Sequence, residues 1–169
     1  MSTPTATPGV APTIAAPLVV APLVAEHRFE LAERVDTVYA FVTHHESLPT
    51  WLLPVRSVRV DRSAADEHGV GAVRVVNPGT RAEARETVRW ASPPDGFAYS
   101  ADDASLHGLM TDHTSIFRFE PAGDARTLVT WAIHGHLPPG LRGTPGRLTM
   151  LAVLRLGARG LRRHFSPSS

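Results

Sequence analysis

Hydrophobic and polar residues change their period along this chain, and each change marks an element. Residues 25–31, "AEHRFEL", alternate, with His27, Phe29 and Leu31 on one face, and predict a strand. The next stretch sets Val35, Val38, Phe41 and Val42 at helical spacing, and Pro49 stops its continuation. "ESLPTWLLP" predicts a short second helix or turn that delivers Trp51 and Leu52 to an apolar surface. Strand-like segments follow at 55–62, 72–77, 82–91, 97–101, 111–120 and 127–136. The turns between them, such as "NPGT" and "SPPDG", suit antiparallel hairpins. A final helix over 146–164 carries Leu151, Leu154, Ala158, Leu161 and Phe165 as one stripe, with Arg155, Arg159 and Arg162 beside it. Gly157 and Gly160 each cost about 1 kcal/mol relative to Ala inside that helix. They leave two readings open: close packing on the sheet, or room for a ligand beneath.

The order is strand, two short helices, six strands, long helix. A long antiparallel sheet with one apolar face needs a cover, and only the last helix is long enough to provide it. The expected fold class is therefore α+β: a curved seven-stranded antiparallel sheet wrapped around the C-terminal helix, with a pocket left where the core fails to close. Alternation sets Glu86, Val88 and Trp90 on the inward face of one strand, and pairing around "NPGT" puts Arg74 opposite Glu86. In the last hairpin, pairing Phe119 with Thr127 puts Phe117 opposite Val129, Ser115 opposite Trp131 and His113 opposite Ile133.

Length and composition narrow the classes. The 169 residues suffice for one domain, expected over residues 24–165, behind an Ala/Pro-rich tail over 1–23 whose prolines at 4, 8, 12, 17 and 22 forbid regular structure. The tail's apolar "PLVVAPLV" could dock on a neighbouring surface, and a disordered, passive tail is the simpler expectation. A net charge of +1 makes no general case for nucleic acid or a membrane surface. No cysteine means no disulfide scaffold and no sulfur-based metal site. Nothing approaches the roughly 20 apolar residues of a membrane span, and no basic segment precedes the apolar N-terminus, so a cytoplasmic protein is expected.

Several phrases in this order resemble the polyketide cyclase/dehydrase branch of the SRPBCC superfamily, the helix-grip fold shared with START lipid-transfer domains. They are "LPTWLLPVRSVRV", "GVGAVRVV", "ARETVRWASPPDGFAYSA" and "TSIFRFEPAGDARTLVTW", and the resemblance covers residues 24–165. It implies an internal cavity that takes hydrophobic small molecules. The activity stays open, since the superfamily includes cyclases, lipid carriers and receptors.

Three side chains are candidates for catalysis. Burial raises a carboxylate's pKa and a neighbouring guanidinium lowers it, so Glu86 beside Arg74 could serve as a tuned acid or base, with Arg74 holding an enolate or carbonyl oxygen. The same two residues also read as a structural ion pair. His113, inward near Ser115 and Trp131, could move a proton near neutral pH or simply line the pocket. Expected ligand contacts are Trp51, Val88, Trp90, Tyr99, Ser115, Phe117, Trp131 and Leu154. "SLHGLMTDH" could overhang the pocket as a lid bearing His107. His134 and His136 form an H-x-H pair without a third ligand, so no metal is expected, and no cofactor. The reading is a cofactor-independent cyclase or dehydratase acting on a polyketide or similar hydrophobic molecule. The alternative is a non-catalytic carrier of a lipid or aromatic metabolite, and either would be a monomer or homodimer.

Overall fold

A computed structural model describes residues 20–79 and 83–166. The predicted tail lies outside the described residues over 1–19. Ala21 and Pro22 run beside the sheet: the Pro22 carbonyl accepts the Gly135 amide, and the Ala21 carbonyl lies 2.9 Å from His134 Nδ1.

The chain folds as β1 (Leu23–Leu31), α1 (Val35–Thr43), a 3-10 turn (His45–Ser47), α2 (Leu48–Trp51), and then six strands and a long helix. The strands are β2 (Ser57–Asp61), β3 (Val73–Asn77), β4 (Ala84–Ser92), β5 (Gly96–Ala101), β6 (Thr111–Pro121) and β7 (Thr127–His136), and the helix is α3 (Thr144–His164). All seven strands are antiparallel in one sheet of order β1-β7-β6-β5-β4-β3-β2. The two strands farthest apart in sequence, β1 and β7, pair along their length, and α3 lies over β1 with α2 against it. This is the expected helix grip.

The inner face is apolar because alternate residues of each strand turn toward α3. Phe97, Phe117 and Trp131 stand opposite one another on β5, β6 and β7, with ring centroids 5.0 Å and 4.4 Å apart. Such cross-strand aromatic stacks stabilise a sheet beyond the area they bury. Val38 and Val42 from α1, Trp51 from α2, and Leu154, Ala158 and Leu161 from α3 close over them.

Two expectations of register are corrected. The last hairpin turns two residues later than predicted: Pro121 pairs with Thr127, Phe117 with Trp131 and Ser115 with Ile133. A two-residue shift preserves the pleat, so every inward assignment on β6 and β7 survives. On β4 a bulge falls between Val88, opposite Tyr99, and Trp90, opposite Ala98. One extra residue moves everything beyond it to the other face. Trp90 therefore leaves the inner face, where Ala91 replaces it opposite Phe97, and stands half-buried outside with the Arg118 guanidinium 5.7 Å from its ring.

Candidate functional site

Beside the apolar residues of the inner face lies a chain of polar side chains. Arg74 on β3 pairs with Glu86 on β4, as the turn predicted. Its Nε–H donates to Glu86 Oε2 at 2.5 Å, and the two side chains are only 3% and 13% exposed. The guanidinium also lies 3.9 Å over the Tyr99 ring and donates from its terminal nitrogen to Nδ1 of His45 at 3.2 Å. An arginine has only donors, so His45 Nδ1 must be the acceptor and its proton sits on Nε2. Burial, then Arg74 and Arg62, lower the His45 pKa to about 3. The imidazole is neutral across the physiological range.

His113 on β6 has a related environment. Its Nδ1 accepts the Ala101 amide at 3.1 Å, and burial followed by Arg74 lowers its pKa to about 4. Tyr99 stands between the two histidines, with ring centroids 5.8 Å from His113. Burial and Glu86 push its hydroxyl up to about 12, against hydrogen bonding by Ser115 and Arg74. Ser115 Oγ accepts Trp131 Nε1–H at 2.7 Å. Arg74 keeps its charge: burial is the largest single influence and works against it, and Glu86 together with Tyr99 outweighs burial to hold its pKa above the ordinary value.

A cavity of about 240 Å³ opens where this chain reaches His45. Val88, Ala91 and Phe97 form its floor, Tyr39 and Thr43 of α1 one wall, and Arg62, Glu67, His68 and Gly69 its rim. An apolar cavity of about 150 Å³ holds a benzene ring, and drug-sized ligands occupy about 300 Å³ or more. The space suits one or two fused rings. Among the described residues nothing hydrogen-bonds His45 Nε2, which leaves it a donor at the cavity wall.

Of the candidates, Arg74, Glu86, Tyr99, His113 and Ser115 come together on the inner face, yet only Val88 lines this cavity. Trp51, Phe117, Trp131 and Leu154 are core, with Trp51 and Trp131 edge to face at 6.1 Å. His113 lines a separate open groove with Asp103, Asp112 and His136. The lid is corrected too: the β2–β3 connection, not "SLHGLMTDH", rims the cavity, and His107 is exposed. His134 and His136 stand outside, and among the described residues no three His, Cys, Asp or Glu converge as a metal site would need.

Sequence reasoning missed His45. A signal was present, because Val38, Val42 and His45 continue one helical stripe at i, i+4 and i+7. The 3-10 turn after α1 keeps that stripe pointing inward, while His44 stays exposed.

A wholly antiparallel sheet gripping a helix has a counterpart among known families. The model of the polyketide cyclase/dehydrase and lipid transport family matches residues 23–166. The chain belongs to that family.

Solved structures agree on the fold. A START superfamily protein from Mycobacterium smegmatis superposes with a TM-score of 0.67 at 14% identity, over 83% of this chain and 95% of that one. Norcoclaurine synthase from Thalictrum flavum, in complex with dopamine and hydroxybenzaldehyde, gives 0.65 at 17%, over 86% and 87%. The di-domain ARO/CYC StfQ from the steffimycin biosynthetic pathway gives 0.65 at 16%, over 85% of this chain and 50% of StfQ. At these identities the likeness shows the fold alone. No curated protein sequence matches the chain.

Proposed function

We propose that the cavity binds a small hydrophobic carbonyl compound, a short polyketide or a related aromatic intermediate, and that the protein acts on it as a cofactor-independent cyclase or dehydratase. The observation that carries the reading is the buried series Glu86–Arg74–His45, which runs from a carboxylate to a neutral donor at the cavity wall. His45 Nε2–H binds the ligand's carbonyl oxygen and strengthens its bond as negative charge develops there. Arg74 fixes the tautomer that makes this possible. Glu86, two residues before the cavity-lining Val88 on the same face, takes the proton adjacent to the carbonyl and returns it to a departing hydroxyl. The apolar floor holds the reacting carbons together, which is catalysis by orientation. The family's description as cyclase/dehydrase supports the same reading.

A carrier is the second reading, and one observation favours it. Glu86 is engaged by Arg74, His113 Nδ1 by the Ala101 amide, and neither residue lines the cavity. Product analysis and ligand titration on the same proteins separate the two. Glu86→Gln keeps the side chain's shape and removes its proton chemistry, so turnover of aromatic β-ketones should fall about 100-fold or more with affinity retained. A folded Glu86→Gln protein with undiminished turnover would end the glutamate's catalytic role. Tight binding by wild type with no product across the series would make the protein a carrier.

A further inference from the structure

The net charge of +1 conceals a division. The first 124 residues hold ten arginines and all sixteen acids, whereas the last 45 hold seven arginines and no acid. Six of those seven lie from Arg142 onward, in α3 or the turn before it, and none of the six forms an ion pair among the described residues. Three of them, Arg155, Arg159 and Arg163, share one side of α3, while the Arg162 guanidinium lies 5.5 Å over the Phe29 ring. α3 buries Met150, Leu154, Gly157, Ala158 and Leu161 on the sheet. On the opposite side Leu148, Ala152 and Leu156 follow one another at i, i+4 and i+8, with Arg155, Arg159 and Arg163 beside them at the same spacing, all exposed.

The leucines are unusually open. Leu148 is 60% exposed, and Leu141, in the turn leading into α3, is 91% exposed. A single exposed leucine needs no explanation. Leu141, Leu148 and Leu156, exposed on a segment that holds arginines and no acid, do. At the other end of α3, Arg155, Arg159, Arg162 and Arg163 surround a groove of about 390 Å³ with His27. Their field reaches the imidazole: burial, then Arg162 and Arg155, lower the His27 pKa.

Charge and apolarity together select the occupant. A second copy of the chain would bring one arginine row against another across the contact. Nucleic acid has no use for the leucines. An anionic bilayer surface satisfies both, with apolar side chains among the acyl chains and guanidinium groups among the headgroup phosphates. At about 1.5 Å per residue α3 is roughly 31 Å long, enough to lie along the interface. No helix among the described residues is long and apolar enough to cross a membrane, so the contact is peripheral. We propose that the outer face of α3, with Leu141 in the turn before it, docks the protein on anionic lipid surfaces. This goes beyond the proposed catalysis and does not depend on it, because the face lies outside the cavity.

Cosedimentation of the full chain with vesicles tests the docking. Phosphatidylcholine vesicles containing phosphatidylglycerol should carry the protein down, phosphatidylcholine alone should not, and raised salt should release it. Leu141→Ser/Leu148→Ser and Arg155→Gln/Arg159→Gln change only exposed side chains and should leave the melting temperature in place, while each weakens binding about tenfold or more. Absence of binding to the anionic vesicles overturns the proposal. So does binding that the arginine pair abolishes but the leucine pair leaves intact, or that inorganic phosphate displaces at equal ionic strength, since either marks a discrete anion site. A dimer in solution that the leucine pair dissociates would assign the face to a second copy and overturn it as well.

Discussion

Burial of a histidine beside a guanidinium suppresses its protonation, and the inner face does this at two positions around Arg74. His45 is held to about 3 and His113 to about 4, in each case by burial first and Arg74 second. The unfolded chain returns both to about 6.5, so below that pH it binds protons that the folded chain refuses. Stability therefore rises with pH across this window. It is fully present above about 6.5 and is lost as pH falls toward the folded values. The melting temperature should drop steadily between pH 7 and pH 5, above the range where most carboxylates titrate. His113→Gln keeps an acceptor for the Ala101 amide and removes one titration, so its profile should be shallower. An unchanged slope in that variant would show that His113 is not suppressed. Neither histidine is suited to proton transfer at neutral pH. His45 instead presents an Nε2–H, free among the described residues, at the cavity wall, a placement that the sequence concealed because His44 and His45 differ only in which way the turn points them.

At the scale of the element, α3 resolves what its two interior glycines are for. A Cβ at Gly160 would lie 1.7 Å from the Trp51 carbonyl oxygen, and one at Gly157 would lie 2.4 Å from the Trp131 ring. Both mark close approach of the helix to α2 and the sheet, and protein atoms occupy the space that a ligand would have needed. Gly160→Ala gains about 1 kcal/mol of helix propensity and collides with backbone, which cannot rotate away. The net should be destabilisation by about 2 kcal/mol, read as an earlier urea midpoint; a stabilised variant would refute the close packing. β4 teaches a related lesson. Its first half was legible as alternation, and Arg74 opposite Glu86 followed from turn chemistry alone. Its second half was not, because a bulge leaves no mark in the hydrophobic pattern of "VRWA" and reverses the face of Trp90 and Ala91.

For the molecule as a whole, the sheet and α3 have to form together. β1 and β7 are joined through about a hundred intervening residues, and Phe29, Trp131 and Ile133 are buried only where strands and helix meet. A chain ending at Gly143 would leave that face open to water, at a loss of roughly 25 cal/mol for every Å² of apolar surface uncovered. It should show no cooperative thermal transition and no near-ultraviolet tryptophan signal. A sharp melt in that truncation would mean that the sheet closes its own core.

What the amino-acid order determined by itself was local and periodic: seven strands, the long helix, the turns between them, and which residues of each strand face inward up to the bulge. Those follow from side-chain alternation and from turn residues acting over a few positions. A two-residue error in the last hairpin did no harm, since the pleat repeats every two residues. Tertiary structure decided the rest, because it depends on distances between segments remote in sequence. It joined His45, which follows α1, to Arg74 on β3, closed the core around Trp51 and Trp131, and left the cavity at the β2–β3 connection. The concentration of seven arginines and no acid in the last 45 residues was already in the sequence, and the structure decided which of them face water.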